Sequence, residues 1–290
     1  YIRYLDYYIS IIIRYTVLRL FVMKLCVADR LGTYVDSVFN NIPNHNGVSI
    51  AIASVFYTIQ IYGDFAGYSL TALGCAKVMG FNLPENIHRP YFSTPIKEFW
   101  KRWHIALSSW FMEYLYFPLG GSRVKYGRYL MNLMIVFLVS GLWHGAAWTF
   151  VLWGALHGLY QILEALRKKY FGEPIYNHWW SKALKMLFVF FLVNMAWIFF
   201  RANTIGDAFT AIIKIFTNPG APFMYPMAML FGMLSLVILV VKDFADEFHP
   251  SWKLLASDNK VIETIACALL AVYVVLFGVL ESSQFIYFQF

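Results

Sequence analysis

Long stretches without a charged side chain recur along this chain of 290 residues. The longest covers residues 129–163, and shorter ones cover 48–63, 186–200, 223–241 and 264–280. A helix that spans a bilayer needs about 20 predominantly apolar residues, and the period-two alternation of membrane β-strands is not visible. The pattern therefore predicts an all-α, multi-pass membrane protein.

The longest uncharged segment is too long for one straight span. At about 1.5 Å per residue it would measure about 50 Å, whereas the hydrocarbon core of a bilayer is about 30 Å thick. It should break or turn back near Gly141 and Gly145, beside His144. Irregular backbone at membrane depth is tolerated only where it is buried in protein or lines a cavity. We therefore expect a hairpin whose turn places His144 in a cavity inside the membrane.

The charge balance supports this topology. Only 13% of the residues are charged, and the formal net charge is +7. In a membrane protein a basic excess indicates cytoplasmic loops and gives no reason to expect a nucleic-acid partner. Arg123, Lys125 and Arg128 precede the longest uncharged segment, and residues 167–169 (RKK) follow it. A hairpin would place both basic clusters on the cytoplasmic side.

Residues 95–118 differ from the uncharged segments in having aromatic side chains at helical spacing. This spacing predicts one amphipathic helix at the membrane interface. Another helix is predicted from about Val48 to Val78, with an interruption at residues 63–67. No internal repeat is visible, so we expect a single membrane-embedded domain over residues 1–290. The aromatic stripe consists of Trp100, Trp103, Leu107, Trp110 and Tyr114.

Two histidines are the first candidates for chemistry. The pKa of an imidazole lies near neutrality, so His144 could accept a proton from a hydroxyl group. His144 could equally be a hydrogen-bonded packing residue, with Gly141 and Gly145 as a small-residue helix contact. His104 has Ser108 one turn later and could line an entrance to the His144 cavity, or lie at the interface with no role in binding.

A carboxylate and a third histidine are weaker candidates. Asp64 lies within an apolar run and needs a partner, so it could orient a histidine or stabilise a helix end. His157 is more simply explained by packing. The three cysteines have no paired spacing, which gives no indication of a disulfide framework or a metal site.

Six short motifs, in this order, resemble those of the membrane-bound O-acyltransferase (MBOAT) family, and especially its bacterial proteins of alginate O-acetylation. Residues 200–202 (FRA) and 287–290 (YFQF) also match that branch. The motifs are 63–69 (GDFAGYS), 80–86 (GFNLPEN), 89–91 (RPY), 98–108 (EFWKRWHIALS), 114–123 (YLYFPLGGSR) and 141–145 (GLWHG).

The resemblance implies a fold and a set of site residues. The fold would be a multi-pass helical bundle, with interfacial and re-entrant helices around a central cavity. His144 matches the family's catalytic histidine, and His104 matches a second histidine needed for activity in this branch. Family members usually have further helices before this region, so the chain looks like the C-terminal portion of a typical member. Expected cavity or substrate-binding residues are Asp64, Tyr68, Trp103, Ser108, Ser140 and Trp143, with no metal.

The chain also departs from the usual motifs of the family. Where the family often has Asp, this chain has Leu70, and where it often has Asn, this chain has His88. An Arg-Asp pair of the family is replaced by Met112-Glu113, and a further Asn by Ala147. Both candidate histidines are kept, so the resemblance still implies acyl transfer, while the departures leave the acceptor open.

The function implied by the resemblance is membrane O-acetylation in a bacterial cell membrane. Acetyl-CoA would be the cytoplasmic donor, without a bound cofactor. An exported polysaccharide would be acetylated directly or through a periplasmic or extracellular acetyltransferase. Backbone N–H groups near Gly141 and Gly145 could stabilise the oxyanion. The alternatives are D-alanyl transfer to teichoic acid, and a transporter or channel, which would need inverted repeats and intramembrane carboxylates; only Asp64 fits the latter requirement.

Overall fold

A computed structural model of the chain describes residues 18–172, 178–249 and 259–279. Within these ranges the regular structure is helical and contains no strand. The predicted all-α class is therefore confirmed. The motif at residues 287–290 lies outside the described residues.

Eleven α-helices follow one another in the described part of the chain. A π-helix (Val22–Ala28) joins the first two, and a second π-helix (Met112–Tyr116) follows the fifth. Short 3-10 turns lie at Ile42–Asn44 and Pro90–Phe92. The α-helices are α1 (Leu18–Phe21), α2 (Asp29–Phe39), α3 (Gly47–Val78), α4 (Ile96–Arg102), α5 (Ile105–Phe111), α6 (Tyr126–His144), α7 (Trp148–Phe171), α8 (Trp179–Arg201), α9 (Ile205–Thr217), α10 (Pro226–Phe248) and α11 (Lys260–Phe277).

In the part of the chain that the structure describes, four helices are long and apolar enough to cross a membrane, namely α3, α6, α8 and α11. Their length and composition agree with the multi-pass architecture expected from the uncharged segments. The segment 223–241 lies largely within a further long helix, α10.

The described residues cluster into two compact units. One contains residues 18–38, 55–85, 222–249 and 259–279, and the other contains 39–54, 86–172 and 178–221. Helix α3 contributes its first turns to the second unit and its remainder to the first. The expected single domain over residues 1–290 stays a prediction.

In the first unit, α3 runs without a break through residues 63–67, so the predicted interruption is wrong. Gly63 permits close packing instead, whereas Gly67 has room for a Cβ at ordinary contact distance. A Cβ at Gly63 would lie 2.8 Å from the Met23 carbonyl oxygen. At Gly67, the nearest atom to such a Cβ would be the Leu20 carbonyl oxygen, at 3.7 Å. A glycine within a helix costs up to about 1 kcal/mol relative to alanine, which this helix contact offsets.

The second unit is built on a hairpin of α6 and α7. Helix α6 ends at His144 and α7 begins at Trp148, so the predicted break beside His144 is confirmed. The two helices approach closely because Gly141 faces the Phe150 carbonyl and Gly154 faces the Phe137 carbonyl. At either position a Cβ would collide with that oxygen.

The open ends of the hairpin carry the two basic clusters. Lys169, in the last turn of α7, places its Nζ 3.9 Å from the centre of the Tyr126 ring at the start of α6. The hairpin therefore brings the two clusters to the same end, as the sequence predicts. Which side of a membrane this end faces stays a prediction.

Candidate functional site

His144 is the last residue of α6, and its ring lies among aromatic side chains. The ring centre is 5.0 Å from those of Trp143 and Trp153 and 5.2 Å from that of Phe200, each in an edge-to-face arrangement. Phe200 comes from α8, and Trp153 from the first turns of α7. The hairpin turn and α8 thus hold a half-buried imidazole in a defined, largely apolar position.

His104 lies at a break in the chain, and here the sequence interpretation of residues 95–118 needs correction. The single predicted helix is in fact α4, a bend at Trp103 and His104, and then α5. The aromatic residues consequently do not form one continuous stripe. Trp103 is 1% exposed and stacks on Phe99, whereas Trp110 is 50% exposed.

The backbone of His104 adopts the left-handed conformation, with φ 46° and ψ 55°. This region is unfavourable for residues that carry a Cβ. Such strained residues cluster at functional sites, where the surrounding structure holds them in place. The start of α4, at the far end of that helix from the bend, is held by Glu164 of α7, whose carboxylate accepts a hydrogen bond from the Ile96 N–H at 2.7 Å.

The structure brings His104 and His144 together around one indole. The ring centres of His104 and Trp143 are 6.3 Å apart, and Trp143 also contacts His144. The two imidazoles are close enough to interact electrostatically. The Nδ1 atom of His104 is buried within the protein. The structure therefore brings the two candidate histidines to the same indole; a shared cavity and their part in catalysis stay predictions.

Burial also sets the charge state of His104. It lowers the pKa of this imidazole from an ordinary value of 6.5 to about 4. Near neutral pH the side chain is uncharged, and one ring nitrogen can accept a proton or a hydrogen bond.

A second layer of aromatic residues supports the ring of His144. Trp153 packs against His157, whose side chain has no exposed surface. Trp100 Nε1 donates a hydrogen bond to His157 Nδ1 at 3.2 Å. This agrees with the packing interpretation of His157. The sequence singles out Trp100 in an aromatic stripe and Phe200 in a motif, but it does not connect either of them, or Trp153, with His144, because each reaches the site from a different helix.

The other predicted residues fall into two groups. Ser140 is buried on α6 one turn before His144, and Ser108 Oγ donates to the Trp103 carbonyl at 3.3 Å. These residues and Trp143 belong to the same unit as the histidines. Asp64 and Tyr68 belong to the other unit. A binding role for any of the six residues stays a prediction.

Asp64 has a partner that the sequence did not identify. Its carboxylate pairs with Lys24 Nζ at 2.7 Å, and the same ammonium group contacts Asp29 at 2.9 Å. Both carboxylates are buried. The contact gives Asp64 a structural role, the one favoured by its place in an apolar helix.

The suggested oxyanion donor at Gly141 also needs correction. Gly141 lies inside α6 and is buried against α7. Its N–H belongs to the hydrogen-bond ladder of the helix, so it is not directed toward a reacting group. Gly145 follows the helix end, and its role as a donor stays a prediction.

A family model described as MBOAT, membrane-bound O-acyltransferase family, matches residues 5–206. A peptidoglycan O-acetyltransferase of Helicobacter pylori is 40% identical over 190 residues, which make up 64% of this chain and 35% of that protein. A protein of Azotobacter vinelandii named probable alginate O-acetylase is 39% identical over 198 residues, which are 68% of this chain and 38% of that protein.

A more distant relative is a teichoic acid D-alanyltransferase of Bacillus subtilis. It is 29% identical over 197 residues, covering 63% of this chain and 49% of that protein. The chain thus spans between about a third and a half of the length of these three relatives.

Proposed function

Because the chain belongs to the membrane-bound O-acyltransferase family, we propose that it takes part in moving an acetyl group from a cytoplasmic thioester to a hydroxyl group of an exported polysaccharide. The acceptor is the polymer itself or an extracytoplasmic transferase that acetylates it. Identities of 40% and 39% to two relatives named for O-acetylation, against 29% to the D-alanyltransferase, favour acetyl over D-alanyl transfer. The family membership also argues against the transporter alternative.

The observation that carries the proposal is the placement of His144 at the hairpin turn, with His104 on the same Trp143 indole. His144 acts as general base and takes the proton of the acceptor hydroxyl. The hydroxyl oxygen forms a bond to the acyl carbon as the carbon–sulfur bond breaks. The proton then passes from His144 to the departing thiolate, leaving an ester and a free thiol. His104, uncharged near neutral pH, positions the acceptor through its ring nitrogens.

The basic end of the hairpin supports the choice of acetyl-CoA as the donor. Acetyl-CoA carries phosphate groups, and clustered Lys and Arg side chains attract phosphates. Lys169 beside Tyr126 shows that the basic ends of α6 and α7 meet. The excess of basic residues at this end is also what the positive-inside rule expects of a cytoplasmic face.

The catalytic proposal is tested by His144→Ala in the full-length protein. Loss of a general base reduces the rate by about 10² to 10⁴-fold, so polymer acetylation should fall by that factor at unchanged abundance in the membrane. His178→Ala is the matched control, because His178 is an exposed histidine of the same unit. Normal acetylation by the His144→Ala variant would exclude this mechanism.

The direction of transfer is tested by labelling single cysteines at Lys125 and Lys168 with a thiol reagent that does not cross membranes. Both positions should react only when the reagent has access to the cytoplasmic side. Reaction of both from outside intact cells would reverse the topology and remove the argument for a cytoplasmic donor. Assays with labelled acetyl-CoA and with a D-alanyl donor then distinguish the two acyl groups.

A further inference from the structure

The helix that begins after His104 is capped from outside its own sequence. His104 occupies the N-cap position of α5, yet its side chain makes no capping hydrogen bond. The first N–H groups of a helix have no partner within the helix, and a polar N-cap side chain normally accepts from one of them. If the imidazole capped the helix, it would not be available for chemistry.

Asn86 supplies the missing acceptors. Its backbone carbonyl accepts from the Ile105 N–H at 2.8 Å, and its side-chain Oδ1 accepts from the Ala106 N–H at 3.0 Å. Asn86 precedes α4, so these bonds join a distant loop to the first turn of α5. Asn86 thus provides two acceptors for the first turn of α5, and the His104 side chain does not serve as the N-cap acceptor.

The same loop also holds the other side of the bend. The His88 N–H donates to the Arg102 carbonyl at 2.8 Å, in the last turn of α4. Residues 86–88 therefore hydrogen-bond to the helix before His104 and to the helix after it. This bracing explains how His104 can remain in a left-handed conformation that its Cβ disfavours.

We propose that Asn86 is a positioning residue for acyl transfer: its side chain caps α5 and so fixes the backbone of His104, which directs the imidazole toward Trp143. The inference rests on the proposed function in so far as His104 takes part in the reaction. The placement of the imidazole itself can be tested without any assay of acyl transfer.

The activity test compares Asn86→Ala with Asn86→Asp in the full-length protein. Aspartate keeps an oxygen acceptor and caps helices as well as asparagine does, whereas alanine removes the bond to Ala106 and leaves the backbone bond to Ile105. Misplacing a reacting group by about 1 Å can cost about 100-fold. We therefore expect kcat to fall about 10 to 100-fold in Asn86→Ala, with KM for the donor unchanged and with recovery in Asn86→Asp.

The matched control is Asn44→Ala. Asn44 is an exposed asparagine of the same unit, and its side chain donates only to its neighbour Asn41 among the described contacts. It should leave kcat unchanged. Equal losses of kcat in Asn86→Ala and Asn86→Asp would overturn the proposal, because the oxygen acceptor would then not be what matters.

The second measurement is independent of the reaction. Diethyl pyrocarbonate modifies exposed imidazoles, and mass spectrometry can follow the modification of His104 relative to that of His178. The rate at His104 should change in Asn86→Ala and match the wild type in Asn86→Asp. An unchanged rate in Asn86→Ala would show that Asn86 does not position His104. Full activity of a His104→Ala variant, by contrast, would show that His104 has no part in the proposed function. The modification rates would still report whether Asn86 positions the imidazole.

Discussion

Trp100 Nε1 donates a hydrogen bond to Nδ1 of His157 at 3.2 Å, in a cluster that leaves His157 no exposed surface. An indole N–H can only donate, so Nδ1 of His157 must be its acceptor. An uncharged His157 therefore carries its proton on Nε2. A half-buried tryptophan thus fixes the tautomer of a histidine that packs, through Trp153, behind the ring of His144.

Replacing Trp100 with phenylalanine should destabilise the protein. The change leaves Nδ1 of His157 buried without a donor, which costs about 1 to 3 kcal/mol. The double variant Trp100→Phe/His157→Phe should recover part of this loss, because removing both partners of a buried hydrogen bond can be nearly neutral. The measurement is denaturant unfolding of the purified protein in detergent. Trp110→Phe, at an exposed tryptophan, is the control. An equally large loss of unfolding free energy in Trp110→Phe would contradict the argument.

Two glycines on α6 should respond to alanine with opposite signs. At Gly141 the new Cβ would collide with the Phe150 carbonyl of α7, and overpacking of this kind costs about 1 to 3 kcal/mol. At Gly127 the new Cβ would meet no atom within 4 Å, and the change should stabilise the helix by about 0.4 to 1 kcal/mol.

Thermal unfolding of the two glycine variants, with acetylation measured in parallel, checks this prediction. Gly141→Ala should also reduce activity, since separating α6 from α7 moves His144. If both variants were equally stable, the helices could not be in the close contact that Gly141 makes possible.

The ion-pair cluster of the first unit should depend strongly on its ammonium group. Lys24→Met leaves the buried carboxylates of Asp29 and Asp64 without their shared cation, and breaking a buried pair costs about 3 to 5 kcal/mol. Lys242→Met is the comparison, because Lys242 and Asp246 form a partly exposed pair on one helix, worth about 0 to 1 kcal/mol. Similar denaturation midpoints for the two variants would mean that the Lys24 cluster contributes no more than a surface pair.

His104 should make stability depend on pH in the acidic range. Its pKa is about 4 in the folded protein and 6.5 ordinarily, because burial disfavours the charged imidazole. Between these values the unfolded chain binds more protons than the folded one, so the stability associated with His104 is lost as the pH falls through this window.

The measurement is the melting temperature of the wild type and of His104→Gln from pH 7 to pH 4. On acidification the wild type should lose stability faster than His104→Gln, which has no proton to take up at this position. His178→Gln, at an exposed histidine, should follow the wild type. Parallel curves for the wild type and His104→Gln would show that His104 titrates normally when folded.

The hairpin at His144 could be predicted because it follows from a single length comparison between an uncharged segment and the thickness of a bilayer. The bend at His104 could not. The residues around it are compatible with a continuous helix, and the break depends on hydrogen bonds from Asn86 and His88, which lie in another segment of the chain. Local propensity contains no information about such a tertiary constraint.

Residues 63–67 show the opposite error. The sequence predicts an interruption at two glycines within one helix, because glycine weakens an isolated helix. In the folded chain, Gly63 is where α3 meets the Met23 carbonyl, and Asp64 beside it pairs with Lys24. The partner lies too far away in sequence for any periodicity to reveal it, although the need for a partner was evident from the apolar surroundings.

The hairpin has a consequence for the direction of the chemistry. Helix α6 has 19 residues and rises about 28 Å from Tyr126, beside Lys169, to His144, which is close to the thickness of the hydrocarbon core. If the donor arrives at the basic end and His144 does the chemistry, thioester cleavage is separated from donor capture by most of the permeability barrier. Such a hairpin would use the free energy of a thioester made in the cytoplasm to form an ester on the other side of the membrane, where no activated acyl carriers are present. The length of α6 would then be enough to set the direction of acyl transfer across the membrane, without a separate pump.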